Sequence, residues 1–254
     1  CNPFITKWET TTNNESITIP TTNGETYDYA VDWGDGTVES GFTGDAVHTY
    51  ATAGEYEVRI SGTFPRIEFD TNFDPNRLKI KEVTQWGSNP WTSMENAFFG
   101  CENLDVTAID IPDLSNVTNM RSMFFYCINL QGTPEFNDWD VSNVTNMYET
   151  FLAALVFNQN ISSWNVSSVT DMTGMVYAAH AFNQDIGNWD VSSVSSMKEM
   201  FREALAFNQN LGNWDISSLS NAASMLNDAP LCIENYDNTL IGWATLGTGG
   251  SQIP

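Results

Sequence analysis

Positively charged side chains are scarce in this chain: 9 Lys and Arg stand against 32 Asp and Glu, which gives a formal net charge of −23. So few cations cannot neutralise phosphate groups, which excludes nucleic acid as a partner and unassisted adsorption to an anionic membrane. Long hydrophobic runs are also absent. The longest purely apolar run covers residues 151–157, whereas a membrane-spanning helix needs about 20 residues.

Histidine is equally scarce, because the chain has only His48 and His180. Their wide separation supports neither a His-based zinc motif nor a Ser-His-Asp arrangement, and no phosphate-cradling glycine loop is present. Acidic pairs are numerous, but a glycosidase needs two carboxylates facing each other across a cleft, which a short repeat array does not offer. The sequence therefore predicts neither enzymatic activity nor a cofactor.

The chain does contain a 25-residue repeat. Trp139, Trp164, Trp189 and Trp214 lie 25 residues apart, and each precedes Asp or Asn. Columns of Val, Met and Phe and three F-N-Q triplets keep the same phase, and upstream the period loosens to 26 or 27 residues. Units that cannot bury their apolar face alone must stack, so the pattern predicts a solenoid of about six coils.

Each unit is predicted to contain one strand and one short helix. Residues 186–191 place apolar side chains at the positions of an L-x-x-L-x-L strand, and a serine at 192 or 193 then caps a helix. Val194, Met197, Met200 or Phe201, and Ala204 would form its buried face, at steps of three and four. The Asn of each F-N-Q triplet is predicted to form a stacked ladder that bonds to neighbouring backbone.

Two stretches, A-F-F-G-C-E-N-L at 97–104 and I-D-I-P at 109–112, resemble the A-F-x-x-C-x-x-L…I-x-I-P repeat of BspA-like leucine-rich-repeat surface proteins. The later units, such as F-N-Q-D-I-G-N-W-D-V-S-S-V at 182–194, resemble the 25-residue variant of that family found in bacterial surface proteins and lipoproteins. The resemblance covers about residues 78–246. It implies an α/β leucine-rich-repeat solenoid and a role in adhesion.

The N-terminal residues lack these columns and alternate as short strands at 16–19, 27–33 and 56–60, with a hairpin turn at Asp35-Gly36. V-D-W-G-D-G-T at 31–37, H-T-Y at 48–50 and G-E-Y-E-V at 54–58 resemble the PKD module, an immunoglobulin-like sandwich of surface proteins. Turn chemistry accounts for Asp32 and Asp35 better than a calcium site does. His48 is predicted to be an internal hydrogen-bonding residue.

The expected fold class is thus mixed: an N-terminal all-β immunoglobulin-like sandwich followed by an α/β leucine-rich-repeat solenoid of about six coils. An anchor segment is expected at 1–3, the sandwich at 4–63, and a packed junction or N-terminal cap at 64–93. The solenoid with its C-terminal cap would cover 94–246, and a tail would follow at 247–254. A monomer is expected.

The four cysteines have two predicted roles: three fill core positions, and the first carries a membrane anchor. Cys101 and Cys127 share a column that later holds Ala, so buried free thiols are expected, with a disulfide between adjacent coils as the alternative. Cys232 takes the column of a core Phe. Cys1 is the residue that signal-peptide cleavage leaves at the start of a bacterial lipoprotein, so it is predicted to carry lipid and to provide the only membrane contact. An ordinary exposed cysteine is the alternative.

A polar surface remains as the candidate site. On the predicted strands, files of Asp, Asn and Ser face outward, and like charges stacked about 5 Å apart are costly unless water or a ligand compensates them. A partner protein with basic residues, a glycan, or Ca²⁺ bridging carboxylates would do so; a plainly solvated face is the alternative. The residues are Asp138, Asp140, Ser163, Asn165, Asn188, Asp190, Asn213 and Asp215.

The sequence therefore predicts a bacterial cell-surface adhesion protein, lipid-anchored to the outer membrane or secreted, that binds an extracellular protein or matrix partner through this face. The family resemblance supplies most of the adhesion role. Two alternatives stay open: a glycan-binding protein of a polysaccharide-uptake system, for which exposed Trp or Tyr on the face would be diagnostic, and a structural display module without a ligand.

Overall fold

The computed structural model describes residues 2–69 and 74–246, so Cys1 and the tail at 247–254 lie outside the described part of the chain. Regular structure is concentrated at the two ends. The described residues contain eight strands: β1 (Phe4–Thr10), β2 (Glu15–Ile19), β3 (Asp28–Asp32), β4 (Val38–Phe42), β5 (Ala46–Tyr50), β6 (Gly54–Thr63), β7 (Ile80–Gln85) and β8 (Asp105–Val106). One 3-10 helix, Pro75–Leu78, precedes β7, and a second, Pro134–Asp138, follows β8; the α-helix α1 (Ile233–Leu246) comes last.

The strands form two sheets. The larger has six strands in the order β4-β3-β6-β1-β7-β8, and the smaller pairs β2 with β5. All pairs are antiparallel except β7 with β8, which is parallel. Residues 16–19, 27–33 and 56–60 were predicted as strands, and this is confirmed, as is the hairpin at Asp35-Gly36 that joins β3 to β4.

Aromatic side chains fill the core between the two sheets. Trp8, Trp33 and Tyr50 are fully buried there. His48 stacks on Trp33 with ring centroids 4.9 Å apart, and its Nε2 lies 2.8 Å from Oδ2 of Asp35. Oδ1 of Asp35 accepts the backbone N–H of Thr37 at 2.9 Å. The predicted internal role of His48 and the turn role of Asp35 are therefore confirmed.

Residues 93–231 form stacked units, here called the repeat stack. Single parallel bridges join equivalent residues of consecutive units: Asn119 with Asn146, Asn146 with Asp171, Asp171 with Ser196, and Ser196 with Asn221. Backbone groups beside each bridge continue the contact, as where the N–H of Met197 donates to the carbonyl of Asn221 at 2.8 Å. The units therefore stack in register, with a single isolated bridge and several further backbone hydrogen bonds between consecutive units.

The expected fold class is wrong. The structure is mostly sheet with one C-terminal helix, and no solenoid of α/β coils is present in the described residues. Residues 186–191 form a turn at 187–188 and irregular backbone instead of a strand, and residues 194–204 contain no helix. Nor is the N-terminal part a self-contained immunoglobulin-like sandwich, because its larger sheet is mixed and takes β7 and β8 from residues 80–106.

Backbone conformation explains why the predicted helix is absent. Glu199 and Glu203 have φ values of 56° and 57°, in the left-handed region that ends a right-handed helix. Their N–H groups donate to the next unit, to the carbonyls of Ala223 and Asn227, instead of to the preceding turn. The buried positions at Met197, Met200, Phe201 and Ala204 are nevertheless confirmed. A step of three or four residues between buried side chains arises here from repeated tight turns.

Indole and amide side chains tie consecutive units together. Nε1 of Trp189 donates to the carbonyl of Ile161 at 3.2 Å, and Nε1 of Trp214 donates to that of Ile186 at 3.0 Å. In the F-N-Q triplets, Oδ1 of Asn158 accepts the N–H of Asn183 at 2.9 Å, and the same bond recurs one unit later. The predicted asparagine ladder is therefore confirmed.

Loss of one rung of this ladder should be measurable. Oδ1 of Asn183 accepts both the N–H of Asn208, at 2.8 Å, and Nε2 of Gln209, at 2.9 Å. Asn183→Ala should lower the free energy of unfolding by about 2 kcal/mol, because it leaves a backbone N–H without an acceptor. Urea denaturation followed by circular dichroism measures this. Asn188→Ala is the control in the same unit, since Asn188 is exposed, and equal effects of both variants would contradict the ladder's role.

Candidate binding face

The Asp or Asn that follows each repeat tryptophan starts a tight turn. Oδ1 of Asp140 accepts the N–H of Ser142 at 3.1 Å, and Oδ1 of Asp190 accepts both the N–H and the hydroxyl of Ser192, at 3.1 and 2.6 Å. The same turn recurs in the other units. All members of this file are exposed, at Asp113, Asp140, Asn165, Asp190 and Asp215.

Sequence reasoning missed Asp113. Its unit lacks the tryptophan that marked the other four, since Pro112 precedes it. The shared D-x-S-N-V of residues 113–117 and 140–144 was the signal that could have found it. The parallel bridge between Pro90 and Asp113 also places this file against residue 90.

The second predicted file is exposed as well, at Asp138, Ser163, Asn188 and Asn213. Together with Asp113, Asp140, Asn165, Asp190 and Asp215, these residues are called the polar face. None of them lies in a strand: Asp138 ends the 3-10 helix Pro134–Asp138, and the others lie in turns, in irregular backbone or, for Asp113, at an isolated bridge. The expected placement on outward positions of solenoid strands is therefore wrong. Stacking of the units, and not strand pairing within them, brings the file members together.

The turns also set the charge of the polar face. For Asp190, hydrogen bonds from the hydroxyl and then the N–H of Ser192 lower the pKa, while the neighbouring charge of Asp215 acts in the opposite direction. Serines two residues later lower the pKa values of Asp113, Asp140 and Asp215 in the same way. These four carboxylates are therefore ionised at neutral pH.

A file of hydroxyl groups, also missed from the sequence, follows the polar face along the chain. Oγ1 of Thr170 donates to the carbonyl of Thr145 at 3.1 Å, and Oγ of Ser195 donates to that of Thr170 at 3.0 Å. The exposed members are Thr118, Thr145, Thr170, Ser195 and Ser220. Because each bonded hydroxyl uses its only O–H group to donate a hydrogen bond to a backbone carbonyl, it offers a partner only acceptor lone pairs.

Among the described residues, no cation forms an ion pair with a carboxylate of the polar face. Between Arg121 and Lys198 the chain contains neither Lys nor Arg, and none follows Arg202. The repeat tryptophans do not contribute either, because Trp139, Trp164, Trp189 and Trp214 are at most 4% exposed. The polar face is therefore anionic and rich in acceptors, and these indoles offer a sugar ring no stacking surface.

The described residues contain neither a cluster of metal ligands nor a membrane-spanning helix. In residues 2–69 and 74–246, no group of three or more His, Cys, Asp or Glu side chains is placed to hold a metal ion. Within the same ranges, no helix is long and apolar enough to cross a membrane. The predicted lipid attachment at Cys1 concerns a residue outside the described part of the chain.

The three described cysteines differ in their surroundings. Cys101 and Cys127 are buried and free, as predicted, and burial raises the pKa of both thiols. Sγ of Cys127 donates to the carbonyl of Phe98 at 3.2 Å. Cys232 was expected in the core column of Phe207, but it is exposed, so that expectation is wrong.

The fold and the polar face define an acidic, sheet-rich repeat protein. A family model described as "Mycoplasma protein of unknown function, DUF285" matches residues 68–133, 92–185 and 129–239, which together cover well over half of the chain. The chain belongs to this family. No curated protein and no solved structure matches it. The resemblances to BspA-like leucine-rich-repeat proteins and to the PKD module are therefore corrected: the family found is DUF285.

Proposed function

We propose that this protein is a cell-surface binding protein that recognises an extracellular protein or matrix partner through the polar face. One observation carries the proposal: the repeat stack presents a file of ionised, exposed carboxylates, none of which forms an ion pair with a cation of the described residues. Such a file favours a partner with basic side chains, because complementary charge speeds association and rejects acidic competitors. We further propose a bacterial surface location with a lipid on Cys1.

The charge repulsion within the file supports a role in binding. Asp190 and Asp215 belong to adjacent units, and the charge of Asp215 works against ionisation of Asp190. Their serine hydrogen bonds keep both carboxylates ionised despite this repulsion. A bound cationic group would relieve the repulsion, so part of the energy of association would come from the face itself.

A glycan is the weaker candidate for the partner. Sugar-binding faces combine stacking rings with hydrogen-bonding groups, and the repeat indoles are buried against backbone carbonyls. The polar face contributes acceptors but no aromatic surface. Catalysis is not proposed, because the chemistry of the face consists of turn-bonded carboxylates and amides.

A paired array experiment tests the proposed function. The purified protein is applied to an array of extracellular matrix proteins and to a glycan array, each with and without calcium. We expect binding to basic matrix proteins that weakens as salt is raised from about 50 to about 200 mM, because this fourfold rise roughly halves the Debye length. Binding to glycans alone would replace the proposal with glycan capture, and binding to neither array would indicate a display module.

A further inference from the structure

Arg121 differs from every other cation of the chain. It makes no ion pair within 4.0 Å with any carboxylate of residues 2–69 and 74–246, although the chain has 32 acidic residues. The cations that do pair are Lys7, Arg59, Arg66, Arg77, Lys79, Lys81, Lys198 and Arg202. In so acidic a protein, a cation without a carboxylate partner calls for an explanation.

The guanidinium of Arg121 is held in place by an aromatic ring instead. Its central carbon lies 4.4 Å from the centroid of the Tyr148 ring in the next unit. Arg121 is exposed and Tyr148 is half-buried. Among the described residues no hydrogen bond from the guanidinium occupies its donors; the backbone N–H of Arg121, by contrast, donates to Oδ1 of Asn119 at 2.9 Å. The fork is therefore oriented with its N–H groups unused.

The carboxylate of Glu149 lies near Arg121 but accepts no hydrogen bond from its guanidinium. Burial raises the pKa of Glu149, while the hydroxyl of Tyr148 and the charge of Arg121 act in the opposite direction. The charge of Arg121 therefore affects the pKa of Glu149 although the two side chains form no ion pair. Asp171 and Glu199 face the same carboxyl group. A carboxylate from outside the chain would meet a guanidinium that is already oriented and has no ion-pair partner among residues 2–69 and 74–246 to displace.

Two aromatic residues, Phe125 and Tyr126, follow Arg121 closely in the same unit of the chain. Phe125 is half-buried and stacks on Phe99 with centroids 4.4 Å apart. Tyr126 follows it with 43% of its surface exposed. Arg, Tyr and Phe are the residue types enriched where protein partners bind tightly.

We propose that Arg121 and Tyr148 anchor a second interaction surface, whose partner is a protein segment bearing a single carboxylate next to an apolar side chain. A guanidinium fork binds a carboxylate with two parallel hydrogen bonds, and in this proposal the aromatic side chains of the same unit take the apolar group. The net charge of −23 repels polyanions such as acidic polysaccharides and anionic membranes. The proposal is independent of the polar face, because it uses different residues.

An NMR titration tests the anchor. The probes are N-acetylphenylalanine, which carries a carboxylate beside a ring, and its uncharged amide. The readouts are the side-chain Nε–Hε resonance of Arg121 in the wild type and the backbone amide resonance of Tyr148 in the wild type and in every variant. The carboxylate probe should bind with a Kd of about 1 to 10 mM, the range of a single small-fragment contact. Arg121→Gln should weaken binding at least about tenfold, and Arg121→Lys should fall between, because it keeps the charge and loses the fork.

Arg202 provides the matched control. It also covers a tyrosine ring, at 5.2 Å from Tyr177, but it is ion-paired to Glu199 at 2.8 Å. Arg202→Gln should leave probe binding unchanged. The proposal is overturned by no shift of the Arg121 resonance at about 50 mM probe, roughly five times the weakest expected Kd. It is equally overturned by an equal response to the amide, or by unaltered affinity of Arg121→Gln.

A second measurement tests the class of partner. The wild-type protein and Arg121→Gln are applied to an array of short peptides with one Asp or Glu beside an aromatic residue, and to oligomers of uronic acid. Selective loss of peptide binding in the variant supports a protein partner. Preferential binding of the uronic acid oligomers would overturn that assignment.

Discussion

Replacing Trp189 by Ala should lower the free energy of unfolding by about 4 kcal/mol, the usual cost of removing a buried tryptophan. The ring is 4% exposed, and its Nε1 donates to the carbonyl of Ile161 in the preceding unit. The substitution therefore opens a cavity between units and leaves a carbonyl without its donor. For a chain of this size, that corresponds to a fall in Tm of about 10 °C.

Trp189→Phe separates the two contributions. It keeps a buried aromatic ring but removes the indole N–H and part of the ring volume, so it should cost about 2 kcal/mol. Far-UV circular dichroism in urea follows both variants without relying on tryptophan fluorescence. Asn188→Ala, at the exposed neighbouring position, should stay within about 0.5 kcal/mol of wild type. A loss below about 1 kcal/mol for Trp189→Ala, far below the usual range, would contradict the role of the indole column.

The second large effect is expected at Gly242, inside α1. Gly→Ala in a helix interior ordinarily stabilises by about 1 kcal/mol. Here a Cβ atom would lie 2.1 Å from the carbonyl oxygen of Gly212 and 2.5 Å from its Cα, both of them backbone atoms of the last unit. Gly242→Ala should therefore destabilise by about 3 kcal/mol, through overpacking, and should separate α1 from the stack.

Contacts around Gly242 show what would be lost. Nε1 of Trp243 donates to the carbonyl of Leu211 at 2.8 Å, and Oγ1 of Thr239 accepts the N–H of Leu211 at 3.0 Å. Hydrogen exchange of the Leu211 amide should therefore accelerate in the Gly242→Ala variant. Gly44→Ala is the control, since a Cβ there meets no atom within 4 Å. A stabilised Gly242→Ala variant would mean that α1 does not dock on Gly212.

Burial was predictable from the sequence, because a repeat displays each core position several times. The columns that begin at Trp139, Val141, Val144 and Met147 are buried in almost every unit, and the F-N-Q asparagines form their ladder. The hairpin at Asp35-Gly36 followed from its turn residues. These features depend on local chemistry and on repetition, which a single sequence contains.

The path of the backbone within the repeat stack, by contrast, could not be predicted from the repetition of the sequence. Positive φ values at non-glycine residues such as Glu149, Ala153, Glu199 and Glu203 recur at steps of four, and side-chain identity gives little warning of them. An apolar step of three or four residues fits a helix equally well, so the pattern favoured the commoner structure. Pairing of β7 with β1 was missed because it joins residues far apart in sequence.

The candidate site was predictable in its members but not in its geometry. Exposure of Asp190 and Asp215 followed from their place beside a buried tryptophan, yet the turn that each carboxylate closes depends on a serine two residues later. That turn changes how the site must be tested. Asp→Ala would remove charge and turn together, whereas Asp→Asn keeps the turn, as Asn165 does with Ser167 at 3.2 Å.

The most direct test of the proposed binding role is the affinity of Asp190→Asn/Asp215→Asn for a basic matrix protein bound by the wild type. The control is Glu203→Gln/Asp228→Asn, which removes the same charge from residues outside the polar face. We expect the polar-face variant to bind at least about tenfold more weakly, as loss of two charge contacts predicts, and the control to bind as the wild type does. Equal affinities of the two variants would contradict recognition through the polar face.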